Sequence, residues 1–282
     1  MKNNLIKIKE VYLPFILISV CTILFYNLFR WIFDYKLGIL PFKEDLLNFW
    51  IPFSLPWITI LFWMGKRIRI LNLKNKWNGQ LSFFYLFVMS VTTIIPLLIS
   101  QNYLEKVSYD LISVKDITGV TEEKTEKYYE VQSFKIAEKP GKSYFTTRTS
   151  GRNNQNLIFY NFFVYPFENT DHIWYGIQFS KTIHSRISRS KKDFELREFF
   201  ENNKNELKNY DFQNVKYFEK LGYSDDKDGF LEAVKVGNPD IDKKKQIILI
   251  PKTNTFEKRL GNSLSWIFRS FGIGAFVVFI MI

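Results

Sequence analysis

Three long stretches without a charged residue constrain the fold of this chain more than any other feature of its sequence. They cover residues 11–29, 46–65 and 81–100. A helix needs about 20 apolar residues to cross the hydrocarbon core of a lipid bilayer, and a helix satisfies its own backbone hydrogen bonds there. The pattern therefore predicts three transmembrane helices in the N-terminal part of the chain, at about residues 11–33, 46–65 and 81–100.

A fourth apolar run occupies residues 263–282 and contains one charge, Arg269. The uncharged part after Arg269 is too short to cross the ~30 Å core at ~1.5 Å per residue. A helix from residue 264 is long enough if the arginine side chain reaches toward the interface. We therefore expect a C-terminal transmembrane helix at residues 263–282. Because no cationic or aromatic stop follows the run, we expect this helix to be truncated and the chain to be the front part of a longer membrane protein.

The middle of the chain, residues 101–262, is polar and has the length of a single domain. Runs of β-branched and aromatic residues between turn-forming residues are typical of strands. Such runs predict strands at residues 128–136, 143–149, 157–165, 173–179 and 246–250.

Helical spacing of apolar residues predicts three helices in the same part of the chain. The first follows Ser190, with Asp193 three residues later as in a capping box. The second carries Val215 and Phe218, and the third follows Asp228. Because strands come first and helices later, the prediction is an α+β domain with an antiparallel sheet.

Positive charges near the predicted spans set the expected orientation, because loops rich in Lys and Arg stay in the cytoplasm. The N-terminal segment contains Lys2, Lys7 and Lys9. The loop after the second span contains further cations and no acid, namely Lys66, Arg67, Arg69, Lys74 and Lys76. We therefore expect a protein of the bacterial inner (cell) membrane with a cytoplasmic N-terminus and residues 101–262 outside.

The formal net charge of +11 is not a sign of nucleic-acid binding. Most of the excess lies in the segments that flank the spans, whereas a nucleic-acid-binding protein needs positive charge on a folded face. Cations beside spans attract anionic lipid head groups. We therefore expect the protein to interact with the lipid bilayer and not to bind nucleic acid.

Cysteine and histidine are scarce in this chain. The single cysteine, Cys21, excludes an intrachain disulfide and metal sites built on paired thiolates. The only histidines are His172 and His184. The sequence therefore predicts no metal site and no cofactor.

One short segment resembles a phosphate-binding loop. Gly141-Lys142-Ser143 matches the end of that motif, but Ile136 stands at the position of its first glycine. We therefore expect a turn between two strands at this place.

Residues 224–235 resemble part of a calcium-binding loop. Asp226, Asp228 and Gly229 fall on positions of that loop, but Lys235 stands where the bidentate acid is needed. We expect a helix whose N-terminus carries acidic residues, which the helix dipole favours.

Ser263 is the candidate nucleophile of the sequence. It lies within Gly261-Asn262-Ser263-Leu264, directly before the last apolar run. A serine nucleophile needs a base, and neither His172 nor His184 stands beside a serine in a recognisable motif. We expect Ser263 to cap the helix, and no catalytic residue is assigned.

Four stretches resemble the N-terminal extension of some bacterial rhomboid-family intramembrane serine proteases. They are TSGRNN (149–154), WYGIQFSKTIHSRIS (174–188), FEKLGYSDDKDGFLEAV (218–234) and WIFRSFGIGAF (266–276). The resemblance implies an extracytoplasmic insert that precedes a six-helix catalytic core. The family's catalytic pair is a G-x-S-x serine on one transmembrane helix and a histidine on a later one. No predicted span of this chain has that histidine, so no catalytic residue carries over.

These observations predict a membrane-anchored extracytoplasmic interaction or regulatory module, without catalytic activity of its own. Its partner is expected to be a protein or a protease core. The alternative is an enzyme, either an intramembrane serine protease or a membrane hydrolase that uses Ser263 with His184. A small-solute carrier is least favoured, because the centres of the spans lack the ionisable residues that ion and proton pathways need.

Overall fold

The chain forms two compact units in a computed structural model. The helical unit comprises Met1–Tyr109 and Glu257–Ile282, and the sheet unit comprises Asp110–Phe256. The described residues are 2–71, 80–123, 125–138, 140–236 and 239–282. Lys74 and Lys76, which belong to the predicted cytoplasmic loop, lie outside the described residues.

Among the described residues, four segments are helices long and apolar enough to cross a membrane. They are α1 (Leu5–Lys36), α2 (Leu46–Met64), α3 (Leu81–Val107) and the segment Phe256–Met281, in which the regular helix α6 covers Ser263–Met281. The four apolar runs of the sequence are thus helical. Helices α1 and α3 extend beyond the uncharged runs, because polar residues near their ends find partners inside the unit.

Helices α3 and α6 pack closely in the helical unit. A Cβ atom placed on Gly274 of α6 would come within 2.5 Å of the Cγ2 atom of Thr92 in α3. Small residues at such a position let two helix backbones approach each other. One apolar cluster contains a residue from each helix, namely Phe15 of α1, Ile60 of α2, Met89 of α3 and Val278 of α6. All four helices therefore share one core.

The sheet unit is built on a mixed sheet of seven described strands, in the order β1-β2-β6-β7-β5-β4-β3. Its strands are β1 (Leu111–Asp116), β2 (Tyr128–Ser133), β3 (Lys142–Ser150), β4 (Asn156–Pro166), β5 (Ile173–His184), β6 (Tyr217–Lys220) and β7 (Ile247–Lys252). The pairs β1–β2 and β5–β7 are parallel, and the other pairs are antiparallel. The prediction of an antiparallel sheet is therefore wrong for two pairs, since strand direction is set by long-range pairing that the local pattern does not contain.

Strand β6 replaces a predicted helix. Phe218 lies against the core on one face of the sheet, and Lys220 lies over the ring of Tyr129 on that same face. Glu219 between them forms ion pairs on the opposite face. The apolar spacing through Val215 and Phe218 also fits a helix, but strands β2 and β7 pair with this segment on both sides and fix it as a strand.

Two helices cover opposite faces of the sheet. Helix α4 (Arg189–Lys208) packs Phe199 against Phe159 of β4. Helix α5 (Asp225–Lys235) packs Phe230 against Phe162, whose side chain points to the other face of β4. The sheet unit therefore has three layers, with helix, sheet and helix.

The helix caps of the sheet unit differ from the predicted ones. The cap of α4 is Ser188, whose Oγ accepts a hydrogen bond from the backbone N–H of Lys191 at 3.4 Å, so the predicted cap Ser190 is wrong by two residues. The cap of α5 is Ser224, whose Oγ accepts from the N–H of Lys227 at 3.3 Å. Helix α5 thus starts before Asp228, because serine satisfies an N–H group that the first turn leaves without a partner.

The contact between α5 and the sheet yields a test of the packing. A Cβ atom on Gly229 would lie 2.4 Å from the ring of Phe162. Gly229→Val should therefore destabilise the sheet unit by about 2 kcal/mol, since overpacking a filled core costs ~1–3 kcal/mol. Gly272→Val is the control, because no heavy atom lies within 4 Å of its added Cβ. Pulse proteolysis of the full chain in urea measures both, and equal midpoints for wild type and Gly229→Val would contradict this packing.

Candidate functional site

The structure assigns the predicted catalytic candidates to different units. Ser263 is the first residue of α6 in the helical unit, and the cap of this helix is Asn262 rather than Ser263. His184 ends β5 in the sheet unit, where its Nδ1 atom accepts a hydrogen bond from the N–H of Arg186 at 3.2 Å. His172 is exposed, and its carbonyl accepts from the N–H of Ile247 at 2.8 Å. The contacts of both histidines are thus those of loop and strand-end residues.

The segment that resembles a calcium loop is the N-terminal turn of α5. Asp225, Asp226 and Asp228 lie in this first turn, where the helix dipole favours acids. Arg148 donates from Nη2 to the carbonyl of Asp225 at 2.9 Å, and its Nη1 lies 3.5 Å from Oδ1 of Asp226. In the part of the chain that the structure describes, no group of three or more His, Cys, Asp or Glu side chains is placed to hold a metal ion.

The segment that resembles a phosphate loop leads into an edge strand. Lys142 is the first residue of β3. Its Nζ atom donates to the carbonyl of Val234 at 3.2 Å and lies 5.2 Å from the ring centre of Trp174. The lysine therefore joins β3 to the rest of the sheet unit.

A buried polar cluster in the helical unit surrounds Arg30, which directly follows the uncharged run 11–29. Arg30 of α1 is only 1% exposed. Its guanidinium donates hydrogen bonds to the amide oxygen of Asn48 in α2, to the Oε1 atom of Gln101 in α3 at 3.3 Å, and to the carboxylate of Asp34. One cation thus binds polar groups from three helices.

Further amides extend the cluster. Nδ2 of Asn48 donates to Oε2 of Glu105 at 2.9 Å. Asn27 donates from Nδ2 to Oγ of Ser100 at 3.0 Å and accepts at Oδ1 from Nε2 of Gln101 at 3.0 Å. We call these residues the Arg30 cluster, which comprises Asn27, Arg30, Asp34, Asn48, Ser100, Gln101 and Glu105.

The spacing of the Arg30 cluster is a signal that the sequence does contain. Asn27, Arg30 and Asp34 are separated by three and four residues, as are residues on one face of a helix. Gln101 and Glu105 are likewise four residues apart. Arg30, Asp34, Gln101 and Glu105 lie just beyond the ends of the uncharged runs, so a search limited to those runs overlooks them.

Polar residues continue through the interior of the helical unit. Ser19 of α1 and Thr93 of α3 share a hydrogen bond of 2.8 Å between their hydroxyls, and both side chains are fully buried. Thr22 donates to the carbonyl of Ile18 at 2.8 Å and to the hydroxyl of Thr59 in α2 at 3.3 Å. The interior of this unit is therefore partly polar.

The exterior of the same unit is apolar. Large aliphatic and aromatic side chains that are exposed on its helices include Leu17, Leu24, Phe25, Ile58, Phe62, Phe83, Phe268, Phe276 and Ile280. A water-soluble helix bundle instead carries polar residues on its surface.

The sheet unit contains a partly buried chain of three charges. Glu219 of β6 lies between Lys127, at 3.5 Å, and Lys252 of β7, at 2.8 Å. Burial alone would raise the pKa of Glu219, but the two lysines outweigh this effect and hold its pKa below the usual value. The carboxylate thus stays ionised and fixes β6 beside its neighbours.

Lys220 is the second buried lysine of the sheet unit. Its Nζ donates to the carbonyl of Thr121 at 2.9 Å and to the carbonyl of Glu123. Burial lowers the pKa of Lys220 to about 8. A lysine with such a pKa can act as a base or nucleophile, but both carbonyl contacts tie this one to the segment after Val120, which is a structural role.

A cleft of about 400 Å³ opens in the sheet unit where β5 and β7 separate. The two strands pair in parallel over three positions and then diverge toward different neighbours. Its lining includes the polar side chains of Gln178, Asp226 and Lys252 and the apolar side chain of Ile250. The carboxyl ends of parallel strands are a common place for ligands, but Lys252 is already paired with Glu219.

Comparison with known proteins identifies no relative, since no protein-family model, no curated protein and no solved structure matches this chain. Functional inference therefore depends on the residues described above.

The Arg30 cluster yields a test of the helical unit. Arg30→Leu leaves the partly exposed carboxylate of Asp34 without its cation and the amide oxygens of Asn48 and Gln101 without their donor. Each buried polar group left without a partner costs about 1–3 kcal/mol. The temperature at which the detergent-solubilised protein loses monodispersity should fall sharply. Arg69→Leu is the control, because Arg69 is exposed in the same unit and its loss should change stability by less than about 0.5 kcal/mol. Equal behaviour of the two variants would contradict a structural role of the cluster.

Lys220 yields a prediction about pH. Its folded-state pKa of about 8 lies below the unfolded value of ~10.4, so the unfolded chain binds more protons between these two values. The sheet unit should therefore gain stability as the pH rises from ~8 to ~10.4, by up to about 3 kcal/mol. Lys220→Met removes the titrating group, and its free energy of unfolding should lack this increase. Pulse proteolysis in urea at several pH values measures both proteins, and identical pH profiles would show that Lys220 does not titrate in this range.

Proposed function

We propose that this chain is an integral membrane protein whose helical unit lies in the bilayer and whose sheet unit is an interaction or regulatory module outside the cytoplasm. The observation that supports it most strongly is the polarity of the helical unit. Arg30, Ser19 and Thr93 are buried, while Phe25, Phe62 and other large apolar side chains face outward. In lipid an apolar exterior is favourable, and polar groups inside a bundle hold its helices together.

The distribution of charge supports a cytoplasmic N-terminus. Lys7 and Lys9 lie at the start of α1, and Arg67 follows the end of α2. Arg67 donates from Nη1 to the carbonyl of Glu10 at 3.2 Å, so these cations share one end of the helical unit. The positive-inside rule assigns this end to the cytoplasm. Helix α3 runs toward the opposite end and leads along the chain into β1, which supports a sheet unit outside.

The charged groups of the sheet unit support binding rather than catalysis. Glu219 pairs with two lysines, Lys220 binds main-chain carbonyls, and Arg148 binds the first turn of α5. Each of these contacts connects one element of the fold to another. A folded polar module, inserted in the chain after α3 and before α6, is suited to presenting a surface to another protein.

The resemblance to the extension of rhomboid-family proteases gives this proposal a specific form, in which the module presents substrates to a protease core. That relationship stays a prediction. Its rival is a membrane hydrolase that uses Ser263, and a passive small-solute carrier is the least favoured function. Ser263 is the first residue of a helix in one unit, whereas His184 belongs to the other unit.

Topology and labelling test the proposed function together. The protein should remain in the membrane pellet at alkaline pH. Reporters fused after residues 40 and 180 should both be active outside, and a reporter after residue 70 should be active inside. Residues 40 and 180 on opposite sides would refute the topology. Labelling by a fluorophosphonate that disappears in Ser263→Ala would replace the interaction module with the hydrolase.

A further inference from the structure

Strand β3 is an edge strand with an open outer side. It is nine residues long and pairs with β4 at every position, without a bulge. No other strand among the described residues pairs with it. An edge of this kind presents N–H and C=O groups that can pair with another strand.

Three common protections of an edge strand are absent from β3, namely proline, a bulge and charges that point away from the fold. It contains no proline, and its two cations are turned onto their own unit. Lys142 donates to the carbonyl of Val234, while Arg148 binds Asp225 and lies 4.9 Å from the ring centre of Tyr160. The opposite edge strand, β1, instead ends in the exposed charged residues Lys115 and Asp116. Charged residues at an edge hinder pairing with another strand.

An aromatic pair lies beside this edge. The ring of Phe145 in β3 is 5.1 Å from the ring of Phe200 in α4. Phe200 is 39% exposed although it packs on the sheet. A strand added next to β3 would cover apolar surface on this face as well as satisfy backbone groups.

We propose that the strand that covers this edge is β3 of a second copy of this chain. The two strands run antiparallel about a two-fold axis at Thr146, which joins the two sheets into one. In this register the opposite residues are Lys142 with Ser150, Ser143 with Thr149, Tyr144 with Arg148, Phe145 with Thr147, and Thr146 with itself.

Avoidance of like charges at directly opposite positions favours this register. With the axis at Phe145, Lys142 would stand directly opposite Arg148, and like charges at opposite positions are destabilising. With the axis at Arg148, two arginines would face each other. Only the axis at Thr146 pairs all nine residues of the strand, and it places no two charges directly opposite one another. Lys142 of each copy is then a diagonal neighbour of Arg148 of the other, at ~7–8 Å rather than in direct contact.

The same register brings aromatic residues together. Phe145 of each copy stands opposite Thr147 of the other, so the two Phe145 side chains are diagonal neighbours at ~7–8 Å, within reach of aromatic rings. The two Phe200 side chains extend this contact on the α4 face of the joined sheet. Four half-buried rings thus lose exposed area when the copies meet.

This proposal names the partner of the interaction module and so rests on the proposed function. Confinement of both copies to one membrane would raise their effective concentration. The two proposals nevertheless fail separately, because strand pairing is measured by cross-linking and membrane residence by extraction and topology.

Single-cysteine cross-linking of the full chain tests the pairing, with Cys21→Ser as background. Opposite residues of an antiparallel pair have Cα atoms ~4.5–5.5 Å apart, within the range that a disulfide bridges. Thr146→Cys should therefore form a covalent dimer under mild oxidation, about tenfold more than Thr149→Cys. The two Thr149 positions are offset by about 20 Å along the strands. A mixture of Ser143→Cys and Thr149→Cys copies should cross-link, because these residues are opposite.

A charge variant supplies an independent measurement. Thr146→Lys places two lysines on the axis, and the fraction of dimer in detergent and in vesicles should fall about tenfold. Thr182→Lys is the matched control, since Thr182 is an exposed threonine of β5 on the same face of the sheet. Equal cross-linking at residues 146 and 149, cross-links to a different protein alone, or an unchanged dimer in Thr146→Lys would each overturn the proposal.

Discussion

The helical unit depends on the hydrogen bonds that one buried guanidinium donates through its two terminal nitrogens. Removing a cation from water costs several kcal/mol even after relaxation, and only close partners offset that cost. Arg30 finds these partners on α1, α2 and α3 at once, through Asp34, Asn48 and Gln101. Because the planar guanidinium has a fixed fork of donors, the cluster also fixes how the three helices are rotated and shifted relative to one another.

Buried charge has a similar role in the sheet unit. Strand β6 has only four residues, yet it lies between β2 and β7 inside the sheet. Glu219 joins it to Lys252 of β7 and to Lys127, which directly precedes β2. A shift of β6 by one residue would reverse its faces and separate Glu219 from both lysines. The ion pairs therefore specify the register of the shortest strand.

Each unit has a surface that water alone does not satisfy: exposed apolar side chains on the helical unit and, on the sheet unit, a strand edge with which no described strand pairs. The exterior of the helical unit is apolar, which supports the proposed place in a bilayer. In the sheet unit, β3 is a long edge strand without a proline or a bulge. In the proposed membrane location, copies of the chain would meet in two dimensions, which favours the proposed pairing of β3 with β3 of a second copy.

Local composition and periodicity were sufficient to predict the apolar helices, the polar middle of the chain and five strands. These strands were predicted at 128–136, 143–149, 157–165, 173–179 and 246–250, and each observed end lies within five residues of the predicted one. Contacts between residues distant in the chain account for the mixed strand directions, the strand at Tyr217–Lys220 and the burial of Arg30. Phe218 has a spacing that suits a helix, and neighbours distant in the chain made its segment a strand. Arg30 directly follows an uncharged run, which is a position typical of an interfacial residue. Partners from two other helices make it an interior residue instead. Pairing and burial depend on which distant residues meet, and a local pattern of side chains does not contain that information.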